Sequence, residues 1–206
     1  MSGRGVFVAF EGGEGAGKST QVQLLHDWLV GNGHQVRVTF EPGDTAVGKQ
    51  LRSLLLGHET GALSPRTEAL LYAADRAEHV ASVVRPALDR GEVVLTDRYL
   101  DSSIAYQGAG RALEPVDVAQ LSAWAADDLL PDLTVLLDVD PQVGLRRFNT
   151  PADRLEAEPL AFHQRVRAGF LALAAAAPDR YLVIDATLAK DAVHDRIRAR
   201  VEGLLT

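Results

Sequence analysis

Cysteine is missing from this chain, which excludes a disulfide framework and any thiolate metal site. The six histidines, at 26, 34, 58, 79, 163 and 194, are scattered, and no pair has a metal-ligand spacing such as H-E-x-x-H. No apolar run is long enough to cross a bilayer. The N-terminal one, Val6 to Phe10, is also too short for the core of a secretion signal, so the expected compartment is the cytoplasm. Positive charge is in deficit: the net charge is -7, whereas a broad nucleic-acid surface needs clustered cations. A local nucleotide site stays open, because it needs only backbone amides, one lysine and one or two arginines. Repeats, low-complexity tracts and charge blocks are absent as well, apart from an alanine-rich run at 172–177 that stops at Pro178.

What the chain does have is an ordinary soluble composition, 47% hydrophobic and 24% charged, over 206 residues, enough for one substantial core. Stretches rich in β-branched residues, at 5–11, 35–40, 93–96, 133–139 and 181–184, alternate with helical periodicity. Most of these stretches are nearly continuous apolar runs, as in parallel strands covered on both faces. Helices are expected at about 18–31, 46–57, 65–90, 115–128, 141–148, 156–177 and 189–204. The expected fold is α/β, a doubly wound five-stranded parallel sheet flanked by helices, in one domain spanning 1–206. Gly31-Asn32-Gly33 should end the first helix, and Pro115 should open another where its missing N–H does no harm.

Between the first strand and the first helix stands Gly12-Gly13-Glu14-Gly15-Ala16-Gly17-Lys18-Ser19, followed by Thr20, which fits G-x-x-x-x-G-K-[ST]. A polyphosphate has to be wrapped by backbone N–H groups, so the loop needs glycines that allow close approach and unusual backbone angles. Lys18 then reaches the β- and γ-oxygens, Ser19 ligates Mg²⁺, and the helix behind points its positive end at the anion. A glycine-rich turn that matches by chance is the competing reading. The apolar strand before the loop and the spacing of Val22, Leu25 and Leu29 after it weigh against that. A P-loop alone does not fix the reaction. The Asn-Lys-x-Asp of a small GTPase and the Leu-Ser-Gly-Gly-Gln signature of a transporter ATPase are both absent, which leaves a small kinase carrying donor and acceptor sites together.

In the long helix expected at 65–90, Leu70, Ala74, Ala77, Ala81, Val84 and Leu88 recur at spacings of four and three and read as the buried stripe. Tyr72, Arg76 and His79 lie opposite. They form either a solvated face or, as a ring beside a guanidinium, a seat for a flat base. The strand after that helix ends in Asp97-Arg98, which should face the P-loop, since ligands in such sheets bind beyond the carboxyl ends of strands. Asp97 would hold Mg²⁺ through water or position an attacking oxygen, and Arg98 would neutralise an acceptor phosphate. A structural Asp–Arg ion pair is the alternative. Ser102, Ser103, Tyr106 and Gln107 follow, and Glu41-Pro42-Gly43 makes a tight turn with Arg52 one helix further on.

In order along residues 11–139 run Glu-Gly-x-Glu-Gly-Ala-Gly-Lys-Ser, Glu-Pro-Gly-x-Thr, Leu-Arg-Ser-Leu-Leu-Leu, Leu-Leu-Tyr-Ala-Ala-Asp-Arg, Asp-Arg-Tyr, Ala-Tyr-Gln-Gly and Pro-Asp-Leu-Thr-x-x-Leu-Asp-Val. Ile184-Asp185-Ala186 continues the series. This set resembles the thymidylate kinase family, of the P-loop nucleoside monophosphate kinase type. The resemblance implies transfer of the ATP γ-phosphoryl group to dTMP, giving dTDP on the way to dTTP, with Mg²⁺ and as a homodimer. It further implies that Tyr72 stacks on thymine, Arg76 donates to its O4, and Ser103 and Gln107 lie at the base edge. Tyr106 would crowd the ribose 2′ position, Glu14 would accept from the 3′-OH, and Arg52 and Arg98 would clamp the 5′-phosphate, with Glu41, Pro42 and Ser102 beside them.

Members of that family keep a catalytic arginine either in the P-loop or on a mobile lid. This P-loop has none, so the cation is expected from a lid at about 146–156. Arg154 is the first choice and Arg147 the second, with Arg146 on the ATP side; arginines on a helix end are the plain alternative. The family's Glu-Pro-Gly-Gly-Thr appears here with Asp44, a carboxylate that either lies near the acceptor phosphate or faces solvent. Two rival functions remain: a different P-loop nucleoside or nucleotide kinase, and a non-catalytic nucleotide switch.

Overall fold

The structure, a computed structural model, describes residues 4–111, 113–147 and 153–205. Five strands form one parallel sheet: β1 (Phe7–Glu11), β2 (Val36–Phe40), β3 (Val93–Asp97), β4 (Leu133–Asp138) and β5 (Tyr181–Asp185). Their order is β2-β3-β1-β4-β5. The chain leaves the central β1, runs to the edge at β2, returns through β3 and crosses β1 to reach β4. The crevice beyond the carboxyl ends of β1 and β3 is therefore where the winding reverses, the place such sheets keep for ligands. Register is fixed there by Phe10 opposite Asp97, and the Arg98 N–H donates to the Phe10 carbonyl.

Alternation along β1 explains how both faces are covered. Val8 and Phe10 pack with Leu25 and Leu29 of helix α1 (Lys18–Gly31) and with Val193, Ile197 and Val201 of the C-terminal helix Lys190–Glu202. Phe7 and Ala9 face the other way, onto Val80, Val84, Leu88 and Tyr99. Burying both faces is what the continuous apolar strands require. Asn32 caps α1 by donating to Trp28 and Leu29 carbonyls, and Gly33 follows at φ +85°, as the Gly-Asn-Gly run implied. Pro115 does open helix Pro115–Ala125, although that helix stops before Asp127 and Asp128, which sit in left-handed turn conformations.

The segment from 65 to 90 is helical throughout but not uniform. Helix α3 is taken here as Pro65–His79; it runs into a π-helical stretch, Val80–Val84, and then one more α-turn, Arg85–Asp89. Four of the six residues expected on the buried stripe point outward, and the wider π turn rotates the helix face. Val84 and Leu88 are buried, but Leu70 is 58% exposed and Ala74, Ala77 and Ala81 are exposed too. The inward face of α3 is the polar one, carrying Glu68, Arg76 and His79 beside Ala69 and Ala73. Apolar character did not decide the orientation, because each inward polar group has a partner inside the protein.

A second departure is the stretch after Asp97-Arg98. It is a helix, Leu100–Ser103 continued in π form over Ile104–Gly110, where no helix was expected. It packs on helix α8 (Leu160–Ala176) through Ala105, Tyr106, Phe162, Val166 and Phe170. The short helix α7, Pro141–Leu145, ends in a turn holding Arg146 and Arg147. Residues 148–152 of the expected lid lie outside the described residues. Among those described, no helix is long and apolar enough to cross a membrane.

Candidate active site

The P-loop takes the shape its glycines allow. Gly12, Gly15 and Gly17 stand at φ +139°, +67° and +91°, and α1 begins at Lys18 directly behind them. A Cβ on Gly15 would meet the Gly144 carbonyl oxygen at 2.1 Å, and a Cβ on Gly144 would meet the Glu14 carbonyl oxygen at 2.2 Å. The short helix that carries Gly144 is thus pressed onto the loop, glycine against glycine. Lys18 is buried and its Nζ donates to the Gly12 and Gly13 carbonyls at 3.1 and 3.0 Å. Burial, with Arg98 close by, pulls its ammonium below the usual lysine range, against the attraction of Asp97 and Glu14.

Ser19 comes from the first turn of α1 and Asp97 from the end of β3, and the Ser19 hydroxyl donates to Asp97 Oδ2 at 2.7 Å. The next residue, Arg98, holds a left-handed backbone (φ 70°), a strained conformation for a residue with a side chain. Its guanidinium reaches across to Glu14 Oε1 (2.6 Å), the Gly12 carbonyl and Ser102 Oγ, and lies over the Tyr106 ring. The Tyr106 hydroxyl donates to the same Glu14 oxygen at 2.6 Å. Burial opposes ionisation of Glu14, but Arg98, Lys18 and the Tyr106 hydroxyl outweigh it and hold the carboxyl down at about 2. Burial likewise opposes the charge on Arg98, and Glu14, Tyr106 and Asp97 more than restore it.

Beside this lies a cavity of about 630 Å³, counting its open mouth, and all the residues expected around the acceptor line it: Glu14, Glu41, Pro42, Arg52, Tyr72, Arg76, Arg98, Ser102, Ser103, Tyr106 and Gln107. A second groove runs along the P-loop from Glu14 to Thr20 and Asp97. The two share a wall made of Glu14, Glu41, Arg52 and Arg98. Arg52 is fixed there by donating to the Pro42 carbonyl at 2.7 Å, and the Glu41–Pro42 peptide is cis.

Arg76 is 1% exposed. Its Nε and Nη2 donate to Glu41 Oε2, Nη2 also approaches the Tyr99 carbonyl and Ser103 Oγ, and Nη1 reaches Ser122 Oγ. These bonds leave one Nη1 hydrogen for the cavity that Arg76 lines. Gln107 donates to Glu68, a fully buried carboxylate on the same inward face of α3, one turn before Tyr72. Burial opposes the Glu68 charge, and Arg111, Gln107 and Arg154 overcome it.

The arginines of the expected lid separate. Arg154 donates to the Leu55 carbonyl and to Glu68, beneath the acceptor cavity. Arg147 lies on the P-loop itself, its Nη1 donating to the Gly15 carbonyl at 2.9 Å. Arg146 is exposed. Sequence reasoning missed Glu68, Arg111 and Glu11. The Glu11 carboxylate accepts from the Tyr99 and Ser102 amides and the Ser102 hydroxyl, tying β1 to the helix behind Asp97-Arg98. Burial, with Asp101 nearby, pushes it up to about 7. Glu68 had a sequence signal, its position one turn before Tyr72; Glu11 had one as the first residue of the Glu-Gly-x-Glu motif, but its partners, Tyr99 and Ser102, are distant in the chain.

Comparison with known proteins supports one family. Residues 10–197 match the thymidylate kinase family model. The thymidylate kinase of Clavibacter sepedonicus is 56% identical over 204 residues, covering 98% of this chain and 96% of that protein. The thymidylate kinase of Cutibacterium acnes is 55% identical over 201 residues, 98% of each. The crystal structure of thymidylate kinase from Ehrlichia chaffeensis superposes with a TM-score of 0.77 at 32% identity, over 98% of this chain and 99% of that one. A P-loop that shares its wall with a second cavity, together with these likenesses, leads to one conclusion: the chain belongs to the thymidylate kinase family.

Proposed function

We infer that this chain is an ATP-dependent nucleoside monophosphate kinase that transfers the γ-phosphoryl group of ATP to dTMP, giving dTDP and ADP. The observation that carries the reading is the wall common to the two cavities. Glu14, Glu41, Arg52 and Arg98 stand where a donor phosphate on the P-loop and an acceptor phosphate would meet. Phosphoryl transfer asks for in-line positioning and cations on the moving group, with no covalent step on the protein.

In this reading the loop amides and Lys18 hold the ATP phosphates, and Arg98 and Arg52 hold the acceptor 5′-phosphate. Tyr72 stacks on the base, the free Nη1 hydrogen of Arg76 reads a ring carbonyl, and Ser103 and Gln107 border the base edge. Glu14, kept ionised by Arg98 and Tyr106, is an acceptor for the sugar 3′-hydroxyl, with Tyr106 crowding the 2′ position. Ser19 and Asp97 present hard oxygen donors side by side at the mouth of the loop, a set that fits Mg²⁺. When bound, that ion neutralises charge between the β- and γ-phosphates.

Of the lid arginines, Arg147 is the better placed to reach the transferring group, because it already rests on Gly15. Arg154, the first choice from sequence, acts instead as a fastener through Glu68. Chains pair through the outward face of α3 and the π stretch after it, where Leu70, Ala74, Ala77 and Ala81 are exposed and Leu70 shares a groove with Leu121. The enzyme works in the cytoplasm.

An ATP-coupled acceptor panel tests the assignment. dTMP should outrun dUMP, dCMP and AMP in kcat/KM, and equal turnover of the four, or ATP hydrolysis indifferent to all of them, would refute it.

A further inference from the structure

Asp44 is the residue at which this chain departs from the family's Glu-Pro-Gly-Gly-Thr, and its side chain lines neither cavity but is bonded within the protein. It is 18% exposed, and its Oδ2 accepts from Arg37 Nη2 at 2.6 Å and from the Thr39 hydroxyl at 2.7 Å. Thr39 is buried in β2, and the same hydroxyl oxygen lies 2.6 Å from His79 Nε2. A hydroxyl has one proton to give. With that proton directed to the Asp44 carboxylate, Thr39 can only accept from His79, so Nε2 must carry a hydrogen.

The other ring nitrogen is bound in the same sense. His79 Nδ1 lies 2.8 Å from Glu41 Oε1. Arg76 donates to Glu41 Oε2 from both Nε and Nη2 and holds the carboxyl below the usual range against burial, so Glu41 is an acceptor only. Both ring nitrogens of a side chain 1% exposed are therefore donors. The groups facing the ring and its partners are Glu41 and Arg37 from β2 and its turn, Asp44, and Asp75 and Arg76 from α3. Burial and Glu41 push Asp75 up to about 6, and it is engaged with the Gly43 amide.

We propose that Asp44 is a positioning residue for the acceptor site: through Thr39 it fixes His79 as a two-nitrogen donor, and His79 in turn clamps Glu41 in the orientation that aims Arg76. Glu41 then sits between two cations, one oxygen on His79 and the other on Arg76. Without a carboxylate at 44, the Thr39 proton is free to turn to His79 Nε2. The ring then needs only one proton, and the hold on Glu41 becomes a neutral one, roughly half as strong. The consequence for catalysis rests on the acceptor-site reading above, whereas the protonation of His79 does not.

Two readouts keep these apart. In ¹⁵N-histidine-labelled protein at pH 7.5, both ring nitrogens of His79 should show protonated shifts in the unsubstituted chain, and Asp44→Ala should leave one ring proton. In steady state Asp44→Ala should raise KM for dTMP about tenfold, with kcat and KM for ATP within about twofold. Arg37→Ala, which breaks only the outer ion pair, should change neither readout, whereas a role limited to pinning the turn would move with it. A singly protonated His79 in the unsubstituted chain overturns the proposal on its own, whether or not Asp44→Ala folds. An unchanged KM for dTMP in folded Asp44→Ala overturns its catalytic half.

Discussion

Arg147 and Arg154 have the same chemistry and stand seven positions apart, and only their surroundings tell them apart. Arg147 reaches the carbonyl of a P-loop glycine, whereas Arg154 is bonded to buried Glu68. Arg147→Ala should therefore lower kcat on the order of 10³-fold with KM for ATP little changed, the scale of a supplied arginine in phosphoryl transfer. Arg154→Ala should leave kcat within about tenfold but lower the melting temperature. It strips one partner from a buried carboxylate that keeps Arg111 and Gln107, a loss of about 1–3 kcal/mol. Steady-state rates and thermal unfolding of the two variants decide, and a collapse of kcat in Arg154→Ala alone would reverse the assignment. Sequence favoured Arg154 because an Asp-Arg before a helix looks like a lid end. The buried acid that captures it comes from a helix far earlier in the chain, which spacing cannot reveal.

At the level of elements, the strands and the loop between β1 and α1 were legible because each is a local pattern: apolar runs, glycines at the required angles, a lysine and a serine opening a helix. The long helix was legible in extent and wrong in orientation over its first half. Its inward face is polar because Glu68, Arg76 and His79 are each satisfied by Arg111, Glu41 and Thr39, and helical periodicity records side-chain type, not partners. The π turn at Val80–Val84 then brings Val84 and Leu88 inward as expected. The contact between Gly144 of α7 and the P-loop was also invisible, since a lone glycine in a short helix carries no signal. It makes a sharp expectation: Gly144→Ala drives a methyl into the Glu14 carbonyl, an overpacking of about 1–3 kcal/mol. KM for ATP should rise about tenfold or more while KM for dTMP stays within about threefold. Unchanged ATP affinity by calorimetry would show that α7 yields freely and does not brace the loop.

At the scale of the whole molecule, two surfaces have to be explained, the cleft at the carboxyl ends of β1 and β3 and the apolar outward face of α3. Trp124, 80% exposed on helix Pro115–Ala125, adds to the apolar surface of the helices on that side. A homodimer buries such a face, and a self-complementary contact repeats each residue across a two-fold axis. Leu70→Asp should then convert a two-chain particle into a one-chain particle in sedimentation, and a single-chain particle before substitution would remove the dimer. The cleft carries the central claim, that one wall presents an acceptor phosphate to a phosphate on the P-loop. A crystal structure of this chain with a non-hydrolysable ATP analogue and dTMP measures that directly. The expected result is the dTMP phosphate between Arg52 and Arg98, facing the γ-phosphate over Lys18, with thymine against Tyr72 and Arg76. A dTMP phosphate pointing away from the P-loop, or a base outside the cavity beside α3, would contradict it.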